Sequence, residues 1–95
     1  MFATLVTFAM DPTKRDIQMR GLHEQIIPGV KRQPGFVNGY WSLDTAGPNS
    51  YGYLVWQDEP AARRFSEFLR GNTQNRNEAG VSFVALVVAE VVGTA

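Results

Sequence analysis

The side chains of this 95-residue chain that could do chemistry are few. His23 is its only histidine. An imidazole titrates near neutral pH and can take or give a proton. One histidine without carboxylates at ligand spacing does not make a metal site. There is no cysteine, which removes disulfides, thiolate catalysis and thiolate metal centres. Asn38 stands in the otherwise apolar run FVNGYWSL (36–43). A buried amide there needs a hydrogen-bond partner, and it could hold a substrate carbonyl or an oxyanion. Tyr40, Trp41, Tyr51, Tyr53 and Trp56 offer faces for stacking on a planar aromatic ligand. Each has a plainer reading: His23 as a helix-border histidine, Asn38 as a sheet-pairing residue, the rings as core or subunit interface. Arg63 and Arg64 read as solvent-facing, with Glu59 and Glu67 as helix partners. Glu90 reads as a strand-end residue in water. The sequence has no phosphate-binding Gly loop, no Ser-His-Asp set and no paired catalytic carboxylates.

These residues must be held by elements the sequence also specifies. Phe2 to Ala9 alternates aromatic and β-branched residues and predicts a strand, with Phe2, Thr4, Val6 and Phe8 on one face. Asp11-Pro12 is a helix-start signal, and Met19, Leu22, Ile26 and Val30 then recur as one apolar stripe with His23 on or beside it. Pro28-Gly29 should kink or end this helix, and Pro34-Gly35 is a firm stop. Phe36 to Leu43 predicts a second strand, with Asn38 and Tyr40 sharing a face with Phe36 and Ser42, and Val37, Trp41 and Leu43 on the other. Asp44 to Ser50 reads as a hairpin loop, and Tyr51 to Gln57 as the antiparallel third strand. Asp58, Glu59 and Pro60 open a second helix with a stripe of Ala61, Phe65, Phe68 and Leu69. Gly71-Asn72 should stop it, and Gly71 to Gly80 reads as a polar loop. Val81 to Val92 is the last strand.

The order β-α-β-β-α-β predicts an α+β, ferredoxin-like single domain over residues 1–95: a four-stranded antiparallel sheet with two helices on one face. Two helices cover one sheet face only. The last strand is apolar on both faces, with Val81, Phe83, Ala85, Val87, Ala89 and Val91 on one and Val84, Leu86, Val88 and Val92 on the other. A second copy of the sheet is the economical cover, so the sequence predicts a homodimer.

Composition narrows the partners. Lys and Arg total 9, as do Asp and Glu, so the chain lacks the basic excess that drives nucleic-acid binding. The run Val81 to Val92 is too short to span a bilayer and contains Glu90. Met1 to Met10 makes a poor signal peptide. The expectation is a cytoplasmic protein without nucleic-acid or membrane partners.

QPGFVNGYW (33–41), followed by a hairpin and YGYLVWQDEPAARRF (51–65), resembles the dimeric α/β-barrel superfamily, in its antibiotic-biosynthesis-monooxygenase-like branch. The shared marks are the Pro-Gly-Phe turn, an aromatic third strand ending in Trp, and an acid-capped second helix with an Ala-Arg-Phe stretch. The resemblance implies two sheets packed into a barrel across a dimer, and a pocket between sheet and helices in each protomer. It implies activities ranging from cofactor-independent oxygenation of aromatic polyketides to haem degradation and isomerisation. The haem-degrading members use an Asn on the first strand, a Trp ending the third, and a His about one helix segment later. Trp56 matches the Trp, but the first strand has no Asn, and Phe65 and Ser66 stand where the His would fall, so haem degradation is set aside. The expected function is a cofactor-independent monooxygenase-like or isomerase-like protein, with no metal or cofactor, binding a small hydrophobic or aromatic metabolite. His23, Asn38 and Trp56 are the candidate catalytic residues; Tyr40, Trp41 and Phe65 are the candidate ligand contacts. The alternative is a non-catalytic ligand-binding or stress-associated dimer on the same fold.

Overall fold

The computed structural model describes residues 1–71 and 76–95 in full and the backbone of 74 and 75. Four strands form one antiparallel sheet in the order β2-β3-β1-β4: β1 Phe2–Met10, β2 Phe36–Leu43, β3 Asn49–Trp56 and β4 Val81–Glu90. The helices cover one face, as the sequence predicts.

The first crossover is less regular than one helix. A 3-10 turn at Pro12–Lys14 leads into α1 (Arg15–Gly21), a π-helical segment (Leu22–Ile26) and α2 (Ile27–Lys31). Asp11 caps the start, its carboxylate accepting from the Thr13 hydroxyl at 2.7 Å and the Thr13 backbone N–H at 2.9 Å. Those two bonds hold the Asp11 carboxyl below its usual pKa. Pro28 explains the π segment. It has no N–H to donate, and its ring would meet the carbonyl four residues back in a regular helix. The chain widens instead, and the Ile27 N–H bonds to the Leu22 carbonyl five residues earlier. So Pro28 neither ends nor simply kinks the helix.

The extra residue turns the apolar stripe. Ile26, placed in it by regular spacing, is 48% exposed, while Ile27 is half-buried and Val30 fully buried. Gln18 takes a buried place that the stripe did not assign. Its amide donates to the carbonyls of Asp11 and Ala79, both at 2.9 Å, and so ties α1 to the turn before β4.

The second crossover is α3 (Glu59–Gly71) followed by α4 (Gln74–Glu78). Asp58 accepts from the Ala61 N–H at 2.9 Å, the expected cap. The buried stripe is Ala61, Ala62, Phe65 and Ser66; Phe68 lies off it, 58% exposed. α4 occupies part of the predicted 71–80 loop, and Asn72 lies outside the described residues.

The core lies between the sheet and α3. Trp56 is 1% exposed. Its ring centroid is 5.5 Å from that of Phe36 and 4.9 Å from that of Phe65, and its Nε1–H donates to Thr4 Oγ1 at 3.1 Å. Two glycines allow close approach. Gly35 has φ +82° in the turn before β2, and a Cβ there would stand 2.9 Å from Ala61 Cβ. A Cβ on Gly52 would stand 2.8 Å from Val6 Cγ1. Gly52→Val is therefore expected to destabilise the fold by roughly 1–3 kcal/mol through overpacking, read as a lower urea midpoint with an unchanged slope.

Two bulges correct the predicted faces. Phe36 pairs with Trp56 and Asn38 with Val55, leaving Val37 as the extra residue. Phe36 therefore joins Trp41 on the helix-covered face, and Asn38, Tyr40 and Ser42 lie on the open one. In β4, Phe8 pairs with Phe83 and Thr7 with Ala85, leaving Val84 extra. Phe83 thus moves to the covered face, where it meets Phe8 edge-on at 6.2 Å.

Candidate functional site

A groove of about 450 Å³ runs between the outer edge of β2 and the π segment with α2. That volume falls in the range of small-molecule sites. Leu22, His23, Ile27 and Lys31 form its helical side, and the Phe36–Trp41 stretch of β2 forms the other. β2 is an edge strand, so among the described residues its outer backbone has no neighbouring strand.

Each candidate side chain reaches its place for a local reason. The π widening before Pro28 brings Leu22, His23 and Ile27 to the groove together. π segments recur at functional sites because they re-aim side chains in this way. His23 is exposed there, available to solvent and ligand. Trp41 is half-buried on the covered face and borders the groove with an apolar surface. Strand alternation after the Val37 bulge puts Asn38 and Tyr40 on the open face, both exposed. The groove therefore straddles the edge of β2: His23 and Trp41 approach it from the helix side, Asn38 and Tyr40 from the open side.

Four of the sequence candidates, His23, Asn38, Tyr40 and Trp41, thus border one groove. Trp56 and Phe65 do not. They pack on each other beneath α3, and the Trp56 N–H is taken by Thr4. The expected pocket between sheet and helices is filled by these rings, and the open space lies at the sheet edge. Leu22, Ile27, Lys31 and Phe36 complete the lining; the sequence reading did not assign them to the site. Pro28 inside a helical pattern was the signal that could have found the first two.

The remaining candidates behave as surface groups. Arg63 pairs with Glu59 at 2.6 Å, both well exposed. Arg64 and Glu90 are exposed. A second depression of about 430 Å³, near Met10, Asp11 and Gly80, offers the Asp11 carboxylate, already engaged by Thr13. Among the described residues, no three His, Asp or Glu side chains gather as metal ligands. No described helix is long and apolar enough to cross a membrane.

No protein-family model matches the chain, and no curated protein does. Solved structures do. A candidate antibiotic biosynthesis monooxygenase of Deinococcus radiodurans superposes with a TM-score of 0.74 at 17% identity, covering 100% of this chain and 96% of that one. The monooxygenase of the ActVA-Orf6 gene of Streptomyces coelicolor, solved with nanaomycin D, gives 0.69 at 21% identity, covering 99% and 89%. SnoaB, a cofactor-independent oxygenase of Streptomyces nogalater, gives 0.67 at 22% identity, covering 98% and 94%. The chain shares the ferredoxin-like fold of these proteins. At these identities the likeness is one of fold.

Proposed function

We propose that this chain is a cofactor-independent, monooxygenase-like homodimer that takes a small hydrophobic or aromatic metabolite at the edge of β2. The observation that carries the reading is the groove, which His23, Asn38, Tyr40 and Trp41 all border beside apolar Leu22 and Ile27. Planar apolar ligands suit such a lining.

In this reading the ligand lies across the β2 edge. His23 removes a proton from an acidic phenol or activated C–H. The Asn38 amide donates to the oxygen on which negative charge develops. The resulting anion reacts with dioxygen. Oxidation of an activated methylene to a carbonyl consumes one O₂: one oxygen atom enters the carbonyl and the other leaves as water with the two hydrogens. The substrate supplies all four electrons. Without dioxygen, the same proton transfer would serve an isomerisation.

The test is oxygen uptake with a panel of phenolic aromatics, in the absence of added flavin or nicotinamide. One O₂ consumed per carbonyl formed supports the proposal. Ligand binding without uptake or isomerised product supports the non-catalytic alternative. The burial of Trp56 and Phe65 favours that alternative, because it leaves fewer rings for a ligand.

The homodimer rests on the open face. Leu5, Tyr40, Tyr51, Tyr53 and Val87 are each between 39% and 69% exposed there, with no described helix over them. Leu5→Arg, at the centre of β1, puts an unpaired charge in that interface. Light scattering is expected to show its mass fall to half that of the wild-type chain.

A further inference from the structure

The groove at the β2 edge is lined by one cation and no acid. Lys31 borders it, and no Asp or Glu does. The β2 side, Phe36 to Trp41, brings only the Tyr40 phenol as an ionisable group. Glu24, the acid that falls within the helical side, is exposed and off the groove. Among the described residues Lys31 makes no ion pair; the pair formed is Arg63 with Glu59 on α3. An ammonium beside an apolar floor, with no carboxylate to neutralise it, favours an anion.

The π segment also sets where that ammonium stands. Eight residues separate His23 from Lys31. In a regular helix that is roughly 2.2 turns, which leaves the two side chains about a fifth of a turn out of line. The extra residue taken up between Leu22 and Ile27 brings the separation close to two turns. His23, Ile27 and Lys31 therefore follow one another in a row along the groove: imidazole, apolar spacer, ammonium. Two turns span roughly 11 Å. That is the scale of a fused-ring skeleton carrying a polar group at each end.

We propose that the groove selects an anionic ligand, a planar fused-ring aromatic acid whose carboxylate sits on the Lys31 ammonium and whose phenol lies at His23. The inference rests on the aromatic-ligand reading above and narrows it. Lys31 is a positioning residue, because it holds the end of the ligand that does not react. Stacking on Trp41 supplies contact area but sets no direction, since a planar ring system presents the same faces whichever way it points. The charge at Lys31 decides which end meets the imidazole.

Calorimetric titration tests this with two compounds. One is a hydroxynaphthoate bearing its two groups at opposite ends. The other is its primary amide, which keeps the rings and the phenol but lacks the charge. The acid is expected to bind roughly 10-fold more tightly, the scale of a charge-assisted hydrogen bond. Lys31→Met should erase that preference, and Lys31→Arg should keep it. Arg32→Met, next in the chain, exposed and outside the groove, should leave it intact. The urea midpoint checks that each variant is folded. His23 is the only histidine, so its ring protons give an isolated NMR signal, expected to shift when the acid binds. Equal affinity for acid and amide overturns the inference and leaves the aromatic-ligand reading standing. A preference that survives Lys31→Met, or that Arg32→Met also removes, overturns it as well. So does binding that leaves the His23 signal unmoved. If neither compound binds, the aromatic-ligand reading falls and this inference falls with it.

Discussion

Trp56→Ala is expected to cost about 3–5 kcal/mol of folding stability, the usual loss for removing a large buried aromatic. Small domains hold roughly 5–15 kcal/mol in total, so this takes a large share. The melting temperature should fall by roughly 12 °C or more, and calorimetry at fixed protein concentration reads it. The reason is specific. Trp56 is 1% exposed and lies against both Phe36 and Phe65, so its removal opens a cavity between sheet and α3. Trp56→Phe keeps a ring but leaves the Thr4 hydroxyl without its donor, for a smaller loss of about 1–3 kcal/mol. A Trp56→Ala chain as stable as wild type would mean that the ring does not hold the core.

The second large effect falls on rate. His23→Gln should lower the turnover of a productive phenolic substrate by roughly 10²–10⁴-fold, the usual contribution of a positioned base. Stability should stay within roughly 0.5 kcal/mol, because His23 is exposed and no hydrogen bond fixes it among the described residues. Comparing turnover with the urea midpoint separates the two effects. Unchanged turnover would remove the proton-transfer role from His23. Unchanged turnover with weakened binding would reduce it to a ligand contact.

The element order could be read from the sequence because punctuation residues set it. Asp11-Pro12, Pro34-Gly35 and Asp58-Glu59-Pro60 fix where helices start or strands follow, and the structure places elements at each. The β2–β3 pairing followed from a short antiparallel connection, whereas β1's place between β3 and β4 spans helical crossovers that no local signal assigns. What could not be read were single-residue events. The Val37 bulge moves Phe36 to one face and Asn38 to the other, and a shift of one residue is all that takes. The Val84 bulge does the same for Phe83. Local propensity does not encode such shifts; pairing with the neighbouring strand decides them.

The site was legible in part for a related reason. His23, Asn38, Tyr40 and Trp41 were found because polar or ring chemistry marks them by type. Trp56 and Phe65 have the same chemistry and sit in the core, and residue type does not say which side of a sheet a helix will cover. Ile27 entered the groove only because the π segment turned it there, replacing Ile26.

The two bulges have one more consequence. β2 and β4 are the two free edges of the sheet, and each carries an extra residue, Val37 or Val84. A regular exposed edge is a template for strands from other molecules and so for open-ended aggregation. A bulge twists the edge and breaks the ladder that an incoming strand would need. The Val37 irregularity that sets which side chains meet a ligand therefore works, with Val84, against edge-to-edge growth into fibrils by a chain that exposes Val37, Val84, Tyr40, Tyr51 and Tyr53.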